Sequence, residues 1–265
     1  MKGPLFLSFW FLHSRSAEGT TTLLNPAPLF VVLASCVCAC DCTRLRACVR
    51  ACACACDCSG DEGVWGHGGL YSAKFNPDFP AASPFVTAVG GTEFASAKAA
   101  VGSAEVGSIG SGGGFSNTFG RPDYQAHAVE AYLASGVKLP APNLWNNSGT
   151  RAYPDISALF GKVIPYCIVS ASRYTAIDGT SASTPVVAAQ FAMLNAIRLA
   201  KGQPALGFVN PFLYQTLAAY PEAFHDIVNG TNNDESHHPG FTAATGWDVV
   251  SGVGTPNFGI LASLV

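Results

Sequence analysis

Charged side chains are scarce in this sequence. Asp, Glu, Lys and Arg make up 12% of 265 residues, about half the usual share. So few charges cannot solvate an open, extended architecture, and the 49% of apolar residues calls for a large buried core. An excess of one sign is lacking too. The net charge of −3 gives no electrostatic footprint for nucleic acid, so no nucleic-acid partner is expected. Long hydrophobic runs are missing. The apolar stretches within 1–17 and 27–39 both fall short of the about 18 uninterrupted residues that a spanning helix needs, so no stable membrane span is expected. The first of them, MKGPLFLSFWFLHSRSA, has a lysine, an apolar run and small polar residues in signal-peptide order. A signal, a signal-anchor and a non-native leader all stay open. Cysteine is nearly absent from most of the chain: nine of the ten fall between Cys36 and Cys58, and the tenth is Cys167. That distribution excludes a disulfide framework for the whole fold.

What the cysteines do form is a repeat. Residues 36–58 read CVCACDCTRLRACVRACACACDC, with the block CxCACDC occurring twice. Alternating cysteine is compatible with soft-metal thiolate binding, with a low-complexity insert and with a translated nucleotide repeat. From Ser59 the composition is that of an ordinary globular domain, which sets a predicted boundary between 1–58 and 59–265.

Beyond the boundary, strands alternate with helices. SPFVTAVGG, residues 83–91, is a β-branched and aromatic run closed by glycines and predicts a buried strand. The Gly/Ser-rich stretch 101–120 predicts loop. Tyr124, Ala128, Val129, Tyr132 and Leu133 share one helical face over 124–135. Val163–Val169 and Tyr174–Ile177 are strand-like. The strongest helix is predicted from Thr184 to Lys201, with Pro185 in its first turn, Gly202 at its end and apolar residues almost all round. Asn210 and Pro211 open another helix through Tyr220. The alternation predicts an α/β domain with a mainly parallel sheet flanked by helices.

Asp178–Pro185, DGTSASTP, joins a strand to the buried helix. A serine at a helix N-terminus sits beside unpaired N–H groups and the positive end of the helix dipole, and both favour an oxyanion forming next to it. The bare string GTS reads equally well as an N-cap; the longer string heading a buried helix is the more specific signal. Subtilisins carry such a string but need an HGTH-like block for their base, and the nearest match is HGG at His67–Gly69. Six further blocks occur in one order: SGDEGV from Ser59, FPAASPFVTAVGGTEF from Phe79, SGGGFSNTFGRPDYQ from Ser111, RAYPDISAL from Arg151, LGFVNPFLY from Leu206 and GWDVVSGVGTPNF from Gly246. On these the chain resembles the sedolisins, the serine-carboxyl peptidases, from Ser59 to its C-terminus.

The resemblance implies a subtilisin-like sheet and a peptidase acting on peptides or unfolded proteins at acidic pH. It implies that Ser181 is the nucleophile and that Asp61 contributes to the oxyanion hole, for which its carboxyl must carry a proton. It further implies one calcium ion held by the carboxylates of Asp226 and Asp248 and the main-chain oxygens of Ile227, Ala244 and Gly246, hard donors suited to that ion. The SGGGFS block is expected to line the substrate cleft with exposed glycine backbone, and Asp155 to be structural. Localisation by resemblance is lysosomal, vacuolar or secreted, with sequons at Asn146 and Asn229.

One part of the family pattern is missing. The base is a glutamate with an aspartate four residues later, upstream of SGD, and only Glu18, Asp41 and Asp57 precede Ser59 as acids. No pair among them is Glu-x-x-x-Asp; Glu222 and Asp226 have the spacing but follow Ser181. The expectation is a fragmentary peptidase. An inactive calcium-stabilised peptide-binding module and a metal-thiolate protein built on the repeat are the alternatives. Exopeptidase and endopeptidase action are not distinguished.

Overall fold

A computed structural model describes residues 56–67, 73–97, 104–234 and 239–265. The sheet is organised around β2, Thr87–Phe94, all eight residues of which are buried. β1 (Cys56–Cys58) runs parallel to its first half, and β6 (Ile156–Leu159) runs parallel along Val89–Thr92. β3 (Glu105–Gly107) is antiparallel to its last three residues. The predicted strand at 83–91 is therefore shifted toward the C-terminus. The stretch expected to be loop holds β3 and β4 (Gly114–Gly120), and β4 pairs with β5 (Thr150–Tyr153). Glycine-rich composition concealed these strands.

Among the described residues the sheet begins at Cys56, inside the cysteine repeat and three residues before the boundary expected at Ser59. Cys-x-Cys alternates with period two, as a half-buried strand requires, and Cys56 joins the main apolar core. The Ser59 N–H continues the pairing to the Val89 carbonyl at 2.9 Å. Between the two cysteines Asp57 is mostly buried, and its Oδ2 has no hydrogen-bond partner among the described residues. Burial raises its pKa to about 6, a nearby Asp78 adds to the rise, and the Cys58 backbone N–H opposes it. The native state thus binds a proton more tightly than the unfolded chain does. This contribution is complete below the unfolded carboxylate range near 4 and is lost as pH rises through 6, at a cost on the order of 3 kcal/mol by neutral pH. Asp57→Asn is expected to raise the thermal midpoint at pH 7 and leave it nearly unchanged at pH 4. Equal shifts at both values would disprove the assignment.

α2, Thr180–Ala200, lies across β1, β2 and β6. Ser183, Val187, Phe191 and Leu194 repeat at helical spacing on its inner face, and Ala182, Thr184 and Ala188 are small enough for close approach to the sheet. The helix starts four residues earlier than predicted, so Pro185 falls in its second turn. Having no N–H, Pro185 leaves the Ser181 carbonyl without its usual i+4 donor. The outer face is open: Met193 is 48% and Leu199 62% exposed, so the helix is buried on one side and not all round.

α1 (Ala126–Ala134) and α3 (Asn210–Ala219) pack onto the same core through Val129, Tyr132, Leu213 and Tyr214. β7 (Tyr166–Ser170) and β8 (Arg173–Ile177) form an antiparallel hairpin in full register. Its two-residue turn has Ala171 at φ 49° and Ser172 at φ 62°, the positive values that a primed turn imposes. The first strand starts at Tyr166 and not at Val163, because Pro165 has no N–H for the ladder. β9 (Phe224–His225) pairs with β10 (Thr255–Pro256), and α4 (Phe258–Leu264) closes the chain. No helix among the described residues is long and apolar enough to cross a membrane.

Candidate functional site

The C-terminal ends of the parallel strands are where ligands bind in open α/β sheets, and the conspicuous sequence blocks meet there. β6 runs out at Leu159, whose carbonyl accepts the Ser183 hydroxyl at 2.8 Å. The next carbonyl, of Phe160, accepts the Gly179 N–H at 2.8 Å. These two bonds fasten the start of α2 to the sheet. Gly179 has φ +104°, a conformation that L side chains rarely adopt, and turns the chain so that Thr180 points inward and Ser181 outward. Thr180 is fully buried, whereas Ser181 is exposed. As the second residue of the helix, Ser181 carries an N–H with no intrahelical acceptor.

Asp61 arrives from the end of β1 and docks on this helix start. Its Oδ1 accepts the Thr180 N–H and the Thr180 hydroxyl, each at 2.7 Å. Its Oδ2 lies over Gly179, where a Cβ would stand only 2.7 Å away. The Thr180 hydroxyl also lies 3.3 Å from the Gly60 N–H and 3.2 Å from the Gly60 carbonyl. The arrangement puts an exposed hydroxyl, an unpaired N–H and an exposed carboxyl on one helix end, the components an acyl-transfer site needs for attack and for oxyanion stabilisation. Among the described residues, no histidine or carboxylate is hydrogen-bonded to the Ser181 hydroxyl. Thr180 is the one residue of this cluster that sequence reasoning did not single out; its place directly before the serine was the available signal.

The SGGGFS block differs from expectation. Ser111–Ser116 are all buried. Gly112 donates to the Gly60 carbonyl at 2.8 Å, and the Ser111 hydroxyl accepts from Gly91 and donates to the Val250 carbonyl. At Gly112 the Ser59–Gly60 strand end, and at Gly113 the Val249 carbonyl, approach too closely for any side chain, while Gly114 has no close neighbour. The block supports Asp61 from behind and does not present a free backbone edge. Asp155 is structural, as expected. It is fully buried and bonded to Arg151, Ala88, Asn210 and Tyr214.

Of the predicted cation ligands, Asp226 lies beside Gly246 and Asp248 beside Ala244, in each case through an N–H and not a carbonyl. Asp226 accepts the Gly246 N–H at 3.0–3.1 Å through both oxygens, and Asp248 accepts the Ala244 N–H at 3.0 Å; Ile227 follows Asp226 directly. Asp248 is fully buried. Burial pushes its pKa up to about 7, against hydrogen bonds from Ala244, Ser251 and Val250. Burial likewise raises that of Asp226. The groups against the two carboxylates are N–H donors of Gly246, Ala244, Val250 and Ser251; two carboxylates beside one turn are still oxygen ligands of the kind a hard cation takes, and a cation would offset the charge that burial disfavours. No group of three or more His, Cys, Asp or Glu side chains with metal-site geometry occurs among the described residues, so main-chain oxygens must supply the rest of any such site. The leader, the repeat up to residue 55, Glu18 and Asp41 lie outside the described residues.

Tripeptidyl-peptidase 1 of Bos taurus is 44% identical to this chain over 207 residues, covering 76% of this chain and 35% of that protein. Tripeptidyl-peptidase 1 of Homo sapiens is 43% identical over 208 residues, with the same coverage. Tripeptidyl-peptidase sed1 of Aspergillus fumigatus is 41% identical over 229 residues, covering 78% of this chain and 34% of that protein. This chain therefore spans about a third of the length of the curated relatives it matches. Among solved structures, a Pseudomonas sedolisin, a serine-carboxyl proteinase complexed with two molecules of pseudo-iodotyrostatin, matches with a TM-score of 0.62 at 28% identity, over 79% of this chain and 54% of that one. No family model matches the chain.

Proposed function

We propose that this chain, related to the sedolisin serine-carboxyl peptidases from Ser59 onward, supplies the nucleophile and oxyanion half of a serine peptidase site that works on peptide bonds at acidic pH. The observation that carries the reading is the docking of Asp61 on the helix end that presents Ser181. In this role the Ser181 hydroxyl attacks the scissile carbonyl. The carbonyl oxygen, gaining negative charge, is met by the Ser181 N–H and by a proton on Asp61. An acidic medium suits a carboxyl that must donate, and fits a lysosomal, vacuolar or extracellular setting. The attacking hydroxyl's proton needs a base, and residues 1–58 hold no Glu-x-x-x-Asp pair. Turnover by this chain alone is therefore expected to be residual, orders of magnitude below that of a complete site.

The test is the full chain at pH 4–5 with an active-serine phosphonate and a tripeptide-releasing substrate. Slow labelling that disappears in Ser181→Ala is expected. Labelling unaffected by that change sinks the assignment of the nucleophile, and rapid Ser181-dependent turnover sinks the incomplete-site reading.

The carboxylates of Asp226 and Asp248, with the main-chain oxygens of Ile227, Ala244 and Gly246, would hold one calcium ion. Bound there, calcium would supply positive charge to two acids and tie the 226–227 segment to the 244–248 turn. Millimolar calcium is expected to raise the thermal midpoint of the full chain by several degrees, and a chelator to reverse the rise. The same midpoint with calcium and with chelator argues against the site.

A further inference from the structure

The two oxygens of the Asp61 carboxyl are not equivalent. Oδ1 takes two donors from a single residue, the Thr180 N–H and the Thr180 hydroxyl, each at 2.7 Å. A backbone N–H can only donate, so it takes one of the two lone-pair positions of Oδ1, and a hydroxyl donating to the other leaves no position there for a proton. The hydroxyl has one hydrogen. Its 2.7 Å approach to Oδ1 is the shortest available, and the Gly60 N–H, 3.3 Å away, fills its acceptor side. Oδ2 makes no hydrogen bond to any described residue. It faces the space beside Gly179, where the absence of a Cβ leaves it open. Thr180 itself is fully buried and cannot touch a substrate.

We propose that Thr180 is a positioning residue for Asp61, holding Oδ1 as the acceptor so that the carboxyl's proton resides on Oδ2 and points at the developing oxyanion beside Ser181. This deepens the proposed function and rests on it. No bond to Thr180 forms or breaks: its two donors fix the rotation of the carboxyl and select which oxygen donates. A glycine is required at 179 for the same reason, since a side chain there would occupy the place of Oδ2.

The test compares Ser181-dependent acylation by an activated peptide ester, whose good leaving group lessens the need for a base, in the full-length wild type, T180V and T180S, with S181A as the baseline. Valine keeps the shape and the backbone N–H and removes only the hydroxyl; T180A repeats that removal in a smaller side chain. T180V and T180A are expected to acylate about 10- to 100-fold more slowly, the loss falling on kcat with KM unchanged, and T180S to recover most of the wild-type rate. A wild-type rate in T180V and T180A overturns the positioning role and leaves Ser181 as the nucleophile. A loss confined to KM, or an equal loss in T180S, gives Thr180 a merely structural part and also overturns it. A wild-type rate no faster than that of S181A removes the site reading, and this inference with it.

Discussion

Replacing Asp155 by alanine is expected to leave this protein insoluble or unfolded at room temperature. Arg151 and Asp155 are both fully buried and joined by two hydrogen bonds, Nη1 to Oδ1 at 2.9 Å and Nη2 to Oδ2 at 2.6 Å. Burial works against the guanidinium charge, but Asp155 together with Tyr214 and Tyr124 more than offsets it and holds the Arg151 pKa above its usual value. Removing the carboxylate strands a buried cation, which costs about 3–5 kcal/mol. The loss does not stop there. The Ala88 N–H, the Tyr214 hydroxyl and the Asn210 amide all donate to the same carboxylate, and each unsatisfied buried donor costs about 1–3 kcal/mol more. A domain with a total stability of about 5–15 kcal/mol does not survive that sum. Asp155→Asn keeps the acceptor oxygen and is expected to fall between alanine and wild type. Soluble yield and urea midpoints check both. A cooperative transition for Asp155→Ala within 1 kcal/mol of wild type would falsify the account of this node.

The node also shows why part of the architecture was readable in the sequence. Asp155, Asn210 and Tyr214 belong to short blocks, PD and NPFLY, whose side chains make specific buried bonds, so their identities are tightly constrained. Ser181 and Asp61 are exposed and were singled out only through the blocks that carry the resemblance, whereas the helix behind Ser181 was legible because Val187, Phe191 and Leu194 keep one buried face. Features set by backbone approach were hidden. β3 and β4 lie in a Gly/Ser-rich stretch that local composition assigns to loop, and only pairing with β2 and β5 makes them strands. The end of the cysteine repeat was excluded from the domain on composition, yet Cys56–Cys58 pairs in parallel with Thr87–Val89 of β2, an interaction carried by backbone groups that composition does not show. The outer face of α2 was expected to be buried because apolar character was read without regard to what covers it. The SGGGFS glycines were assigned to a cleft because sequence shows permissiveness but not which neighbour uses it.

The last point leads to a second large effect, at Gly112. Alanine there is expected to destabilise the protein by about 2–4 kcal/mol and to slow the reaction of Ser181 with a phosphonate about 100-fold. A Cβ on Gly112 would stand 1.8 Å from the Ser59 carbonyl oxygen, 2.4 Å from its carbon and 2.9 Å from the Gly60 nitrogen. All three are backbone atoms, so no side-chain rotation relieves the clash, and the Ser59–Gly60 segment must retreat by roughly 1.5 Å to reach ordinary contact. That segment carries Asp61. The Gly112 N–H bond to the Gly60 carbonyl at 2.8 Å and the Thr180 contacts to Gly60 anchor it from either side, and a retreat from Gly112 stretches the first while displacing the second. The carboxyl then leaves the helix end from which an oxyanion would be held. Gly120→Ala is the matched control: its added methyl meets nothing within 4 Å, so the thermal midpoint and the labelling rate are expected to stay at wild-type values. If Gly112→Ala also matched wild type in both, Asp61 would not be held in place by this glycine, and the block would have to be read again as the open cleft edge that the sequence first suggested.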